Sequence, residues 1–485
     1  MYYLGIDAGT SSMKCMIINN KKEILYENSC SYEYNHPTEG YKEIHPKKYL
    51  EALKKMILEI PNTINLIEIE SICITGQMHT TVFLDEVGNS IRPAILWNDT
   101  RMKNKVQLLK EELSDNVQTQ FISKSISTGC MATSLLWVKE NEPNNYKQIS
   151  KVCSVKDYLT YQLTGRFCTD FCDASTSSLY DISNKCYSSY MLNKLEISED
   201  KLCEVYPSGY EVGTLTQEWI SEFKINRYAK VRVGTGDNPA SAIACDIIKN
   251  KEPLLSFGTS GVIIVPRDDK EFCGKGKNVL FSKDGKRFSN IVQGSLQAAG
   301  ATHLWWVKRI IQSNDLSIDQ DIISDDRIGK NTVRFFPYMN GDKTVYADPN
   351  LRGSFIGLDL NTKRSDMLLA IFEGISHATR LLIHEVLQGN MPKRIKVNGG
   401  GSKSDVWMQV LSHVLNCEIE VYCGATSPCY GACLIAWEHD HNVVDKEERI
   451  LSKKFFPNSK IAKLYDKQFD AFLHMYNIMK QFDKE

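Results

Sequence analysis

The residues with the clearest chemical potential lie in two short turns half the chain apart. The first is YLGIDAGTSSMKCMII, Tyr3 to Ile18, and the second is LLSFGTSGVIIVP, Leu254 to Pro266. Each sets Gly-Thr-Ser beside a β-branched apolar run. Thr10 and Thr259 are separated by close to half of the 485 residues. A strand–turn–strand hairpin of this kind turns its backbone amides and the hydroxyls of Thr10, Ser11 and Thr259 toward one point, a cradle for phosphate oxygens. Either hairpin alone reads as an ordinary turn. The pair predicts two related lobes that grip one polyphosphate from both sides.

Two carboxylates belong with these turns. Asp7 stands three residues before Thr10, where an aspartate can cap its own backbone or face Mg²⁺, a hard cation that takes carboxylate and phosphate oxygens. Asp237 sits in GTGDNPASA, glycines followed by a small-residue helix. It can cap that helix, or take the proton of a substrate hydroxyl attacking a γ-phosphate. Asp7 and Asp237 are together the expected metal-facing pair. Lys14, on the outgoing strand of the first turn, either approaches the phosphates or points to solvent. Met78 and His79, in GQMH, follow a strand at a place where α/β proteins contact substrate. Asn398 to Asp405, NGGGSKSD, could admit a nucleotide base and ribose against Gly400, Gly401 and Ser404. The spacing matches neither GxGxxG nor GxxxxGK[ST], so no Rossmann or P-loop reading is supported.

Alternating patterns position these residues. Strands are predicted at Tyr2–Asp7, Met13–Asn19, Ser71–Gly76 and Arg394–Asn398, with hairpins around Gly88 and Thr259. Helices are predicted over Pro46–Ile60, Lys103–Leu113, Ala132–Glu140, Ser365–Leu387 and Ala462–Phe482, and after Asp237 and Ser404. This is an α/β chain. Its length exceeds a single core and suggests two domains. No Pro/Gly/Ser linker occurs, so the boundary is a hinge near residues 244–253, dividing the chain into 1–248 and 249–485.

The bulk numbers exclude other classes. A formal charge of −1 argues against nucleic acid or an anionic membrane as partner. No apolar run reaches the length of a membrane span, and MYYLGIDAG has no leader pattern. The 15 cysteines include the CxxxC pairs Cys168/Cys172 and Cys429/Cys433, a weak metal pattern. Scattered thiols without a secretion pattern predict a reducing, cytoplasmic setting and structural roles.

The chain resembles the FGGY carbohydrate kinase family of the actin-like ATPase superfamily, and most its xylulokinase branch. The resemblance rests on GIDAGTSSMK, on ITGQMHTTVFLDEVGNSIRPAILWNDTR (Ile74 to Arg101), and on VKDYLTYQLTGRFCTDFCDAS (Val155 to Ser175). GTGDNPASA, LLSFGTSGV, LRGSFIGLDL and NGGGSKSDVWMQVLS follow in order. It implies two ribonuclease-H-like domains with ATP and sugar in the cleft between them. It further implies Asp237 as catalytic base and Asp7 acting through Mg²⁺. Met78, His79, Asp237 and Asn238 would contact the sugar; Thr10, Ser11, Lys14, Thr259, Gly400, Gly401 and Ser404 would serve the nucleotide. The implied reaction is ATP-dependent phosphorylation of the terminal hydroxyl of D-xylulose. Another ketose or a pentitol, or a non-kinase actin-like ATPase, are the alternatives, and a homodimer is an open expectation. Three segments depart from the family pattern: Gly341-Asp342-Lys343-Thr344-Val345-Tyr346, Ser134 before the LLW run, and the late loop ATSPCYGACLIA.

Overall fold

The computed structural model describes residues 1–116, 119–268, 275–422, 426–441 and 451–482. Each half is built on one mixed sheet. The first opens with the meander Tyr2–Ala8, Ser12–Asn19 and Ile24–Ser31; Ile69–Gly76 then lies parallel to Tyr2–Ala8, Lys230–Arg232 parallel to it, and Glu211–Thr214 closes the edge antiparallel. The second repeats this order with Leu254–Phe257, Gly261–Arg267, Ser289–Leu296, Arg394–Asn398, Glu418–Tyr422 and Leu451–Phe455, and adds Lys277–Phe281 beside Ser289–Leu296. The repetition predicted from two turns thus extends strand for strand. It is the two-lobed α/β architecture expected.

Alternation along the strands decides what each face does. In Tyr2–Ala8, Leu4, Ile6 and Ala8 enter the first lobe's own core, with Tyr49, Leu53 and Met56 of helix Lys47–Leu58. Tyr3, Gly5 and Asp7 take the other face. There Tyr3, Met16 and Ile18 join Leu254, Ile264, Val279 and Phe281 of the second sheet in a shared core. The second strand set splits the same way: Leu255 and Phe257 enter the second lobe's core, while Leu254 faces the seam. Helix Pro428–His441 belongs to the second half yet packs on the first sheet. Cys429 Sγ donates to Gly5 O and Cys433 Sγ to Met16 O, both at 3.3 Å. A Cβ on Gly5 would lie 2.4 Å from Cys429 O, so only glycine admits this helix. The buried CxxxC pair at Cys429/Cys433 is therefore packing, in line with the structural role expected of it.

The first lobe also carries an inserted sheet, in the order Glu43–Ile44, Ala94–Ile95, Thr81–Leu84, Lys151–Ser154, with its own apolar core. It presents the residue 77–80 loop and Trp97 toward the seam. Predicted helix limits differ by a few residues: Pro46 caps Lys47–Leu58 from outside, and the long helix is Arg364–Val386. The Gly88 hairpin is reduced to one bridge, Leu84 to Ser90, because Asp85 side-chain bonds hold the turn. Residue 425 of the late loop lies outside the described residues. Among them, no helix is long and apolar enough to cross a membrane.

Candidate active site

Asp7 lies buried at the end of its strand, paired in register with Lys14 across the hairpin. Its Oδ1 has no hydrogen-bond partner. Burial pushes its pKa up to about 6, and the Lys14 ammonium partly opposes this. Asp237 starts helix Asp237–Ala244. Glycines bring it to Asp7: Gly236 bridges Gly76, itself the partner of Ala8, and a Cβ on Gly234 would lie 1.7 Å from Ile74 O. Gly236 holds the N-cap position, and Asp237 Oδ1 accepts the adjacent Asn238 amide at 2.8 Å. Burial first, then the charge of Asp7, pushes Asp237 up to about 7. Two carboxylates that disfavour each other's ionisation thus meet at the seam.

His79 adopts φ 73°, a left-handed conformation uncommon for a non-glycine residue. Its Nδ1 lies 2.9 Å from Thr176 O. Burial pushes the imidazole down to about 3, helped by the Lys277 and Lys343 ammonium groups. The neutral ring must donate Nδ1–H to that carbonyl, which leaves Nε2 as an acceptor. Met78 is buried against Cys172, Sγ to Sδ 3.5 Å. Asn238 Nδ2 donates to Gln293 Oε1 at 2.9 Å, joining the two halves across the cleft.

The two turns differ in detail. Thr10 Oγ1 donates to Gln77 Oε1 and accepts from Trp97 Nε1, both at 2.9 Å. Its hydroxyl hydrogen is therefore used within the first lobe, while Ser11 is exposed. Thr259 is exposed, and its carbonyl accepts the amides of Ala299 and Ala301. Gly399, at φ 93°, passes so close to Phe257 that a Cβ would meet its carbonyl at 2.4 Å; Gly400 faces open space and Gly401 lies against Phe257 and Trp407. Ser404 has side-chain partners within its own lobe. It caps helix Asp405–Leu415, accepting Trp407 N at 3.2 Å, and donates to Gln320 Oε1 at 2.7 Å. It is buried, and the cap is the role these two bonds show. A cavity of about 560 Å³ opens between the lobes, lined by Lys14, Glu27, Ser241, Ser256, Asn398 and Gly399 among others.

Sequence reasoning passed over several residues here. Lys156 Nζ lies against Asp157 (2.5 Å), Asp170 (3.1 Å) and Asp173 (3.1 Å), all buried. This cage fixes helix Phe171–Thr176, whose Cys172 backs Met78 and whose Thr176 carbonyl holds His79. The pattern Lys156-Asp157 with Asp170 and Asp173 was visible in the sequence, but nothing in it placed the helix against Met78 and His79. Asp170, Cys172 and Asp173 are also the one close grouping of metal-ligating side chains found among the described residues. Lys156 Nζ already lies against both of its carboxylates. Gln77, Trp97, Gln293, Lys277 and Lys343 were likewise missed as cleft residues.

Two sheets of one order, flanking a seam that holds paired carboxylates, define the two-domain actin-like ATPase architecture. The descriptions "FGGY family of carbohydrate kinases, N-terminal domain" and "C-terminal domain" match residues 2–244 and 254–437. The chain belongs to the FGGY family of carbohydrate kinases, and is a sugar kinase with ATP as co-substrate. It is 31% identical to a xylulose kinase of Staphylococcus xylosus, over 98% of this chain and 100% of that one. It is 24% identical to a gluconokinase of Bacillus subtilis, over 90% and 86%. The ligand-bound xylulose kinase of Lactobacillus acidophilus shares the fold, with TM-score 0.91 at 22% identity, over 99% of each chain.

Proposed function

We propose that this kinase transfers the γ-phosphoryl group of ATP to the terminal hydroxyl of D-xylulose, giving D-xylulose 5-phosphate, with Asp237 as general base. The observation that carries the reading is Asp237, its acidity moved toward neutrality, beside a buried Asp7 with an orphaned oxygen. Asp237 takes the hydroxyl proton as the sugar oxygen bonds to the γ-phosphorus. The bridging bond to the β-phosphate breaks, and ADP leaves with its electron pair. His79 Nε2 accepts a sugar hydroxyl and Asn238 donates to another, while Met78 packs the carbon chain. Lys14, the backbone of both Gly-Thr-Ser turns, and Gly400–Gly401 serve the nucleotide. The unpartnered oxygen of Asp7 and the adjacent charge of Asp237 suit Mg²⁺, which would neutralise the phosphate oxygens. Residues 1–248 would form the sugar-binding lobe and 249–485 the nucleotide-binding lobe.

The test is ADP release with D-xylulose, for the wild type and Asp237→Asn, beside a thermal melt. Asparagine keeps an acceptor for the Asn238 amide but takes no proton. The expected result is a folded variant that binds both substrates and turns over about 10²- to 10⁴-fold more slowly. Near-normal turnover would overturn the assignment of the base.

A further inference from the structure

Strand Ser289–Leu296 borders the seam from the second lobe. Alternation divides its side chains: Val292 enters the second lobe's own core, while Ile291 joins the core shared by the lobes. Gln293, two residues after Ile291, therefore looks into the seam. Its neighbours in register share that face. Ile264 on one side belongs to the shared core, and Lys277 on the other opens a strand whose Val279 and Phe281 belong there too.

Gln293 is only 9% exposed, yet half of its amide is unmatched. Oε1 accepts from Asn238 Nδ2 at 2.9 Å, which fixes the orientation of the amide and leaves Nε2 as a free donor. Among the described residues that Nε2 has no hydrogen-bond partner. Gln297, just past the end of the strand, makes the contrast: its Nε2 donates to Ser295 Oγ at 3.0 Å. A buried amide donor without an acceptor is costly. This one stands beside Asn238, whose own backbone amide lies on Asp237 Oδ1.

We propose that Gln293 is the second lobe's own contact to the acceptor sugar. Nε2 donates to a sugar oxygen while Oε1 holds Asn238, so one side chain sets the acceptor against the base and ties the lobes over it. The inference rests on the sugar site read at Asp237 and Asn238, and adds a specificity-determining residue from the opposite lobe. A sugar oxygen supplies the missing acceptor, and a ligand without an oxygen at that place leaves the donor buried and unpaired.

The test compares Gln293→Met, which keeps the length of the side chain without its amide, and Gln293→Asn, an amide one methylene shorter. ADP release is measured with D-xylulose, D-ribulose, xylitol and ribitol, and the comparison is made on whichever the wild type turns over best. In both variants the sugar KM should rise about 5- to 10-fold, the loss of one buried hydrogen bond. The ATP KM should hold. A lower melting temperature with an unchanged sugar KM would show a structural role alone, and a rise confined to the ATP KM would give the amide to the phosphates. Either result overturns the proposal. Gln293→Met in an Asn238→Ala background separates contact with the sugar from support of Asn238. The sugar KM should rise at least about 3-fold further, and no further rise overturns the contact. If the wild type prefers another of the four sugars, the xylulose reading fails and the Gln293 comparison stands on that sugar. If it turns over none, D-xylulose binding by calorimetry decides: weaker binding in both variants supports the contact, and absent or equal binding overturns it.

Discussion

The two Gly-Thr-Ser turns stand at equivalent places in two sheets of the same order, yet they have become chemically unlike. Three residues before Thr10 is Asp7, and three before Thr259 is Ser256. Both positions fall on the seam face of their strands. The first turn carries a buried charge and is tied by Thr10 to Gln77 and Trp97. The second carries no charge, and its backbone is braced by residues 299–301. A Cβ on Gly300 would meet Gly258 O at 2.4 Å. A duplicated scaffold supplies two cradles, but one strand position decides which lobe holds the acid.

Exchanging the deciding position is the strongest way to break the comparison. Asp7→Ser makes the first turn resemble the second, and turnover should fall at least about 100-fold, the scale of losing one transition-state electrostatic partner. Ser256→Ala in the second turn should change turnover less than about 3-fold by the same reasoning. Comparable losses in steady-state kinetics would show the turns to be equivalent after all.

The raised pKa values give the next largest effect. A general base works as its carboxylate, so kcat/KM should fall about tenfold per pH unit below the acid limb. Asp237 places that limb at or below about 7. Added Mg²⁺ should move it lower by favouring the charged form. Stability has the opposite sign. For an acid raised on folding, the stabilisation is present below the unfolded value of 3.8 and is lost as pH rises through the folded value. The contribution of Asp7 and Asp237 to the melting temperature of the ligand-free protein should therefore decline from about pH 4 to about pH 7, against the opposite trend of the buried histidines whose imidazoles are pushed down. Asp7→Asn should flatten that decline, which scanning fluorimetry across the range can check.

Paired Thr→Val changes sharpen the contrast further. The sequence alone predicts that both weaken ATP use. The Gln77–Thr10–Trp97 chain instead places Thr10 beside the sugar loop, so Thr10→Val should raise the sugar KM by roughly 10-fold. Thr259→Val should raise the ATP KM by a smaller factor and leave the sugar KM alone. The smallest effect belongs to Ser404→Ala, which removes a helix cap and should cost about 1 kcal/mol of stability. Its ATP KM should hold, and a large rise would return Ser404 to the nucleotide set.

Alternation in Tyr2–Ala8, the glycines that force turns, and the half-length repeat are local properties, so the sequence by itself determined the α/β class and the two lobes. It also located Asp7 and Asp237, because a carboxylate at a strand end or helix start announces itself by its neighbours. Their meeting was another matter. It depends on the close backbone packing of Gly234 and Gly236 against Ile69–Gly76, which no local pattern expresses. The hydrogen-bond partners of Thr10 and Ser404 were not legible either, because they come from distant segments: Gln77 and Trp97 for one, Gln320 for the other. Lys156 shows the same limit, since three aspartates lie near it in sequence but only folding closes them into a cage. Lys277 and Lys343 gain their contacts with Ser127 and Trp97 only when the second lobe folds over the first. Which charges face one another, and which are left without a partner, was decided by the tertiary structure alone, because electrostatic energy depends on distance and burial and not on order along the chain.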